Sequence, residues 1–105
     1  MKETEVKVEY LCTVTTSNGV DVRLNALFYD GVINSFRADL FDDGLSASVW
    51  LDAEGNETPD TFSELDSFPE YRDTPLFDAW QEIVDGKSDA AMKFMDAILE
   101  VTRRK

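Results

Sequence analysis

The chain has 105 residues, of which 43% are apolar and 30% are charged, and its formal net charge is −12. These proportions indicate one globular domain, residues 1–105, long enough to form a single core without disulfides. The negative charge and a pI near 4.1 argue against direct binding to nucleic acid or to an anionic membrane, because both would repel this protein. Basic proteins are the expected partners.

Cysteine usage and the first residues indicate a cytoplasmic protein. Cys12 is the only cysteine, so no intrachain disulfide can form, and it lies in an apolar run typical of a small buried side chain. The N-terminus lacks the apolar core of a signal peptide, and no run approaches the ~20 apolar residues of a membrane span. We expect a location in the cytoplasm of a bacterial cell or of a phage-infected host, without membrane contact.

Residues 5–52 predict four β-strands. Apolar and polar residues alternate there, which is the pattern of strands with one buried face. Asn18, Asp30 and Asp43 each precede a glycine, and such pairs are the strongest short signal for a hairpin. The expected sheet is an antiparallel meander in the order 1-2-3-4. Its outer strands 1 and 4 would be open edges, so the chain is expected to be a monomer or an edge-strand homodimer.

Turn lengths set the expected register of the sheet. A three-residue loop at 17–19 would place Cys12 opposite Leu24, a two-residue turn at 43–44 would place Phe36 opposite Leu51, and a three-residue loop at 29–31 would join these two hairpins. Leu24 would then lie beside Phe36. The apolar set of strand 1 is predicted to be Val6, Val8, Tyr10, Cys12 and Val14.

The opposite face of the sheet is predicted to be mostly polar. One row across it would hold Thr13, Arg23, Arg37 and Trp50. Arg37 and Trp50 belong to residue types enriched at binding hot spots, so this face is a second candidate contact surface. In the simpler interpretation the face is solvated and Trp50 stacks on the Arg37 guanidinium.

Residues 53–74 are predicted to be an acidic connection. A short helical turn is expected within it, because a structureless stretch of this length is unusual. Thr61 and Glu64 have the spacing of a capping box for that turn. Its expected apolar anchors are Phe62, Leu65 and Phe68.

Residues 75–104 predict two helices. Thr74 would cap the first, Pro75 would occupy its first turn and Gly86 would end it. Its apolar stripe is Leu76, Phe77, Trp80, Ile83 and Val84. Ser88 would cap the second, which is expected to bury Ala91, Phe94, Met95, Ile98 and Val101 or Thr102. The predicted fold is α+β, with both C-terminal helices packed on one face of the meander.

The acidity is concentrated in residues 39–85, which we call the acidic segment. It holds 14 acids against one base, Arg72, so it carries −13 and the rest of the chain +1. On the first helix, Asp78, Glu82 and Asp85 recur at i, i+4 and i+7, which places negative charge every ~4.5 to 6 Å. This spacing is comparable with the charge spacing of one nucleic acid strand, which is ~3.4 Å per phosphate along the duplex axis and longer along the backbone. The predicted partner-binding residues are Asp66, Glu70, Asp73, Asp78, Glu82 and Asp85, together with Arg37 and Trp50.

The sequence contains no recognisable catalytic motif. The absence of histidine removes the commonest general base, and there is no Gly-rich phosphate loop. The run from Asp52 to Asp60 has the oxygen spacing of a calcium loop, but Glu57 replaces its glycine and Ser63 its final glutamate. We therefore expect neither enzymatic activity nor a cofactor nor a metal site.

In its size, its regional acidity and its lack of motifs the chain resembles phage-encoded anti-defence proteins, such as anti-CRISPR proteins and anti-restriction nucleic acid mimics. The resemblance implies a non-enzymatic inhibitor that binds a basic nucleic-acid-handling protein or nucleoprotein complex. Two alternatives stay open at this point. One is an immunity protein or antitoxin that neutralises a basic toxin. The other is a small-ligand-binding or structural module whose acidity only gives solubility.

Overall fold

The computed structural model describes residues 3–104, so Met1, Lys2 and Lys105 of the predicted domain lie outside the described residues. The strands are β1 (Val6–Thr15), β2 (Asp21–Tyr29), β3 (Val32–Asp42) and β4 (Leu45–Leu51). The helices are α1 (Glu64–Ser67), α2 (Pro75–Asp85) and α3 (Asp89–Thr102), with a 3₁₀ turn at Pro69–Tyr71. The sheet is antiparallel in the order β1-β2-β3-β4, and α2 and α3 pack against it. The predicted α+β fold is confirmed.

The hydrophobic core lies between the inner face of the sheet and the two long helices. Leu24, Phe36 and Leu40 from the sheet are fully buried, and Trp80 of α2 packs edge-on against Phe94 of α3 at 5.8 Å between ring centroids. Burial of each such side chain contributes about 1.5 to 3 kcal/mol. The other fully buried large side chains are Val20, Val22, Val49, Leu65 and Leu76.

Two residues predicted to be buried in the helices are exposed. Val84 is 56% exposed and Met95 is 48% exposed, whereas Ala79 and Ala90 are buried. Val84 and Met95 both line a cavity between α2, α3 and the connection, and neither belongs to the buried core.

The predicted register is confirmed for the first and third hairpins and wrong for the second. Cys12 lies opposite Leu24, and Phe36 lies opposite Leu51, as predicted. Between β2 and β3, however, Leu24 lies opposite Ala38 rather than Phe36. The shift is two residues, so it moves no side chain to the other face of the sheet, and the common apolar face is preserved there.

A tighter turn and a bulge cause this shift. Tyr29 pairs directly with Val32, so the turn contains only Asp30 and Gly31, whose φ angles are 52° and 82°. Positive φ at both positions is typical of a type I′ turn. A register irregularity follows, because Phe28 pairs with Ile33 and Leu27 with Ser35, which leaves Asn34 as the extra residue of a bulge.

A second bulge reverses the N-terminal half of β1. Tyr10 pairs with Asn25 and Cys12 with Leu24, so Leu11 is the extra residue. An extra residue moves every side chain on one side of it to the opposite face. Val6, Val8 and Tyr10 therefore lie on the outer face, 54%, 52% and 58% exposed, and the prediction that they share the buried face is wrong.

Two of the predicted helix caps differ from the observed ones. Ser63, not Thr61, caps α1, because its Oγ accepts a hydrogen bond from the Asp66 N–H at 3.4 Å. Thr74 precedes α2 without capping it, since its hydroxyl donates to the Tyr71 carbonyl at 2.7 Å. Ser88 caps α3 as predicted, with Oγ 3.1 Å from the Ala91 nitrogen. The predicted end of α2 at Gly86 is confirmed by φ of 72°.

The connection contacts α3 at Gly55. Gly55 has φ of 86°, and a Cβ on this residue would lie 2.6 Å from Cγ2 of Ile98. Glycine therefore meets two requirements here, a left-handed backbone and a close approach to a buried side chain.

The connection also covers the edge of β4, so the prediction of two open edges is wrong for that strand. The Trp50 N–H donates to the Phe62 carbonyl at 2.8 Å, and the Ser48 N–H donates to Oε1 of Glu64 at 2.7 Å. The Tyr71 hydroxyl donates to the Ser46 carbonyl at 2.8 Å. Ser46, Ser48 and Trp50 thus each have an outward-facing backbone group that is bonded within the chain.

Candidate partner-binding surface

The elements of the acidic segment lie together on one side of the molecule. α3 packs against β1, α2 against β3 and α1 against β4, so the helical layer crosses the sheet in the order α3, α2, α1. We call the surface formed by β4, the connection at 53–74 and α2 the acidic side. β1 and α3 lie on the opposite side.

Little of the negative charge is neutralised within the described part of the chain. Residues 3–104 form three ion pairs: Arg37 with Asp39, and Arg104 with both Glu9 and Glu100. Asp39 is the only one of the 14 acids of the acidic segment that takes part. The other 13 acids of the acidic segment therefore have no ion-pair partner within residues 3–104.

Five of the six predicted acidic contact residues are exposed on this side. They are Asp66 on α1, Glu70 in the 3₁₀ turn, Asp73 before α2, and Asp78 and Asp85 on α2. Nothing in residues 3–104 forms an ion pair with any of them. Their carboxylates are thus accessible to a partner.

Glu82, the sixth of these acids, has a structural role. Its carboxylate accepts hydrogen bonds from the Ser17 N–H, at 3.0 Å, and from the Ser17 hydroxyl. These bonds hold the pKa of Glu82 below its ordinary value. In the same contact, Nδ2 of Asn18 donates to the Pro75 carbonyl at 3.0 Å. Glu82 therefore fastens the β1–β2 turn to α2.

Arg37 belongs to a polar network on the outer face of the sheet. Its Nε lies 3.2 Å from Oδ1 of Asp39, whose carboxylate also accepts from Oγ of Ser48 at 2.6 Å and Nδ2 of Asn25 at 3.3 Å. Asn25 is only 6% exposed. This network satisfies buried polar groups, which is a structural role for Arg37.

Trp50 lies opposite Arg37 in the register but packs against a different residue from the one predicted. Its ring contacts that of Phe62, with centroids 5.6 Å apart. The guanidinium found over an aromatic ring is that of Arg23, 5.2 Å from the centroid of Phe41. The predicted cross-strand row of Thr13, Arg23, Arg37 and Trp50 is therefore wrong between β2 and β3, because Arg23 lies opposite Asp39 and not Arg37.

Trp50 and Phe62 form the floor of a groove at the covered edge of β4. The groove has a volume of about 430 Å³, and Asp52 and Asp60 are among the residues that line it. Phe68 and Tyr71 continue the row of aromatic rings, with centroid spacings of 6.4 Å from Phe62 to Phe68 and 6.3 Å from Phe68 to Tyr71. Aromatic faces beside carboxylates are the chemistry that binds a guanidinium or an ammonium group.

Sequence reasoning missed this groove because it treated Phe62 as a buried anchor. Phe62 and Phe68 are 42% and 41% exposed, and only Leu65 of the predicted anchors is buried. An available signal was the position of Trp50 on the outer face of an edge strand, where a neighbouring aromatic residue of the connection could reach it.

A second cavity lies between α2, α3 and the connection. It has a volume of about 290 Å³ and is lined mostly by apolar side chains, among them Leu51, Ile83 and Ile98. The indole N–H of Trp80 donates to Oε1 of Glu57 at 2.7 Å in its wall. This is the helix–sheet crevice that a small-ligand module would use.

The calcium-like loop uses its first carboxylate internally. Oδ1 of Asp52 accepts hydrogen bonds from the backbone N–H groups of Glu54 and Asn56, both at 2.9 Å. Within residues 3–104, no group of three or more His, Cys, Asp or Glu side chains is placed to hold a metal ion.

Two further features are the reactivity of the Cys12 thiol and the length and polarity of the helices. Burial raises the pKa of the Cys12 thiol, which favours its protonated, unreactive form. Among the described residues, no helix is both long and apolar enough to cross a membrane.

Comparison with protein-family models, with curated proteins and with solved structures finds no match to this chain. Only the chain's own residues therefore indicate a candidate contact surface.

Proposed function

We propose that this protein is a small non-enzymatic inhibitor that binds a basic, nucleic-acid-handling protein or nucleoprotein complex through its acidic side. The observation that carries the proposal is that 13 of the 14 acids of the acidic segment have no ion-pair partner within residues 3–104. Concentrated, uncompensated charge of one sign attracts a surface of the opposite sign and speeds association with it.

Inhibition would follow from occupancy of the partner's nucleic acid site. The exposed acids on the connection and on α2 present negative charge in series, as a phosphate backbone does. A lysine- or arginine-lined groove that binds phosphates could therefore accept this surface in place of its substrate. The protein would then act as anti-CRISPR and anti-restriction nucleic acid mimics do.

The groove over Trp50 and Phe62 supplies a specific anchor within this surface. An arginine side chain of the partner would stack on the aromatic rings while its guanidinium reaches Asp52 or Asp60. Such a contact contributes about 0.5 to 1 kcal/mol when exposed and about 2 kcal/mol or more when it is desolvated. Arginine and aromatic residues are common at binding hot spots.

The test begins with a pull-down from bacterial lysate, followed by affinity measurements on the recovered protein over a salt series. Asp78→Lys with Asp85→Lys should weaken binding at least about 100-fold, because like charges at an interface cost several kcal/mol. Asp60→Lys should also weaken it, by placing a cation in the groove. Duplex or guide nucleic acid should compete with the wild-type protein.

The matched control is Glu3→Lys with Asp96→Lys. Both residues are exposed and lie outside the acidic segment, and the change in net charge is the same as in the α2 pair. This control should bind as the wild type does at moderate salt. Equal affinities of all variants, without salt dependence, would disprove the proposal. A recovered partner that is a toxin without nucleic acid substrates would favour the immunity-protein alternative.

A further inference from the structure

We propose that two copies of this protein pair through β1, as antiparallel edge strands centred on Val8. β4 is closed by the connection, which leaves β1 as the edge of the described sheet at which another strand can add. The inference rests on the direction of the β1 backbone groups, on the side chains that the bulge exposes and on the charges beside them. It does not depend on the proposed function.

Alternate backbone N–H and C=O groups of β1 point to the open edge, where a second strand could bond to them. The Asp30 N–H donates to the Glu5 carbonyl at 2.8 Å, so Glu5 bonds towards β2. Successive residues of a strand alternate in direction, which turns the N–H and C=O groups of Val6, Val8 and Tyr10 towards the open edge. Within residues 3–104, no loop or side chain hydrogen-bonds to these backbone groups.

The side chains at this edge are apolar and exposed. Val6, Val8 and Tyr10 are each more than half exposed, and they continue into Tyr29 and Val32, which are 42% and 66% exposed. A long apolar edge strand is an aggregation hazard unless something pairs with it. A second copy, centred on Val8, would bring Val8 beside Val8 and Val6 beside Tyr10.

The charges of β1 favour this register over the two adjacent ones. With the two-fold axis at Val8, Lys7 of one copy lies opposite Glu9 of the other, which also pairs with Arg104 of its own chain, and the contact occurs twice. Axes at the neighbouring positions would place Lys7 opposite Lys7 or Glu9 opposite Glu9, and like charges directly opposite each other destabilise a sheet. Val8 is also directed to the edge, so its pair would be hydrogen-bonded.

The distribution of charge over the whole chain favours the same edge. The acidic segment carries −13 and the rest of the chain +1. β1 itself contains one base and one acid, and it lies on the side away from β4 and the connection. Two copies that meet at β1 therefore keep their acidic sides apart.

Analytical ultracentrifugation of the full chain tests the proposal. The wild type should form a dimer of twice 11.9 kDa as its concentration rises to about 100 µM. Val8→Pro should be monomeric, because proline removes an N–H that points to the open edge and leaves the ladder with β2 intact. Circular dichroism verifies that this variant folds.

Charge reversal tests the register even if the proline variant fails to fold. Lys7→Glu and Glu9→Lys should each weaken the homodimer about tenfold or more, because each places like charges opposite each other twice. An equimolar mixture of the two variants should form a heterodimer, since their charges are complementary. A monomeric wild type at every concentration, a dimer unaffected by these variants, or a mixture that stays monomeric would each overturn the proposal.

Discussion

Glu82 shows how a residue placed correctly in a surface pattern can still have a different role. It recurs with Asp78 and Asp85 on the polar face of α2, and the pattern alone assigns all three to a partner. In the structure its carboxylate binds Ser17, which lies 65 positions earlier in the chain. Helix periodicity reports on a local face and carries no information about such a distant donor.

The role of Glu82 predicts a specific dependence of stability on pH. Hydrogen bonds from Ser17 lower the pKa of Glu82 from its ordinary value of 4.5. The folded pKa is thus below the unfolded one, so the stabilisation is present above pH 4.5 and is lost as the pH falls through the folded pKa. Glu82→Gln should reduce the free energy of unfolding at pH 7 by about 1 kcal/mol or less, because the site is partly open to solvent.

Urea unfolding at a series of pH values measures this difference. The gap between wild type and Glu82→Gln should shrink as the pH is lowered below 4.5, because protonation of the wild-type carboxylate weakens the same hydrogen bonds. Asp78→Asn is the control, since Asp78 lies on the same helix and accepts no hydrogen bond from residues 3–104. A gap that is independent of pH would contradict this role for Glu82.

At the scale of elements, local signals in the sequence predicted the strands and the two long helices. The register of the second hairpin and the buried face of the N-terminal half of β1 were predicted wrongly, because each depends on a β-bulge. The turns at Asn18, Asp30 and Asp43 and the helix limits at Pro75 and Gly86 depend on neighbouring residues, which a sequence displays. The bulges at Leu11 and Asn34 depend on how two strands fit together. The exposure of Val6, Val8 and Tyr10 therefore could not be read from their alternation.

The sequence predicted the charged residues of the candidate site, but it did not predict the groove over Trp50 and Phe62. Asp66, Glu70, Asp73, Asp78 and Asp85 are exposed, as the sequence indicated. The groove required the connection to return along β4, and this return depends on hydrogen bonds from Trp50, Ser48 and Tyr71. None of these contacts follows a repeat or a motif, so no pattern in the sequence marks them.

Coverage of the β4 edge predicts a measurable change in Tyr71→Phe. The substitution keeps the ring and removes the hydrogen bond to the Ser46 carbonyl, so it should lower stability by about 0.5 to 1.5 kcal/mol. Backbone amides of Ser48 and Trp50 should exchange with solvent faster, because the connection opens more often. Amides of β2 should exchange at rates that change only with global stability.

Tyr29→Phe is the matched control for this experiment. It makes the same chemical change at an exposed tyrosine whose hydroxyl has no hydrogen-bond partner within residues 3–104. Faster exchange at Ser48 and Trp50 in both variants, or in neither, would show that Tyr71 does not hold the connection against β4.

At the scale of the whole molecule, the −13 carried by the acidic segment opposes folding, because the compact state holds these like charges close together. Salt should therefore stabilise the protein, as the Debye length falls from ~10 Å at 0.1 M towards ~3 Å at 1 M. The urea midpoint should rise between low and moderate NaCl. Asp66→Asn combined with Asp78→Asn and Asp85→Asn should reduce this rise and increase stability at low salt.

A matched set of three substitutions outside the acidic segment distinguishes the effect of regional repulsion on stability from that of total charge. Glu3→Gln, Asp96→Asn and Asp89→Asn remove the same number of charges outside the acidic segment, so they should reduce the salt dependence less. If both sets had the same effect, total charge rather than its concentration on the acidic side would govern stability. If the regional effect holds, relief of this repulsion should contribute to the affinity of a basic partner for the acidic side, and that affinity sets how far binding raises the melting temperature.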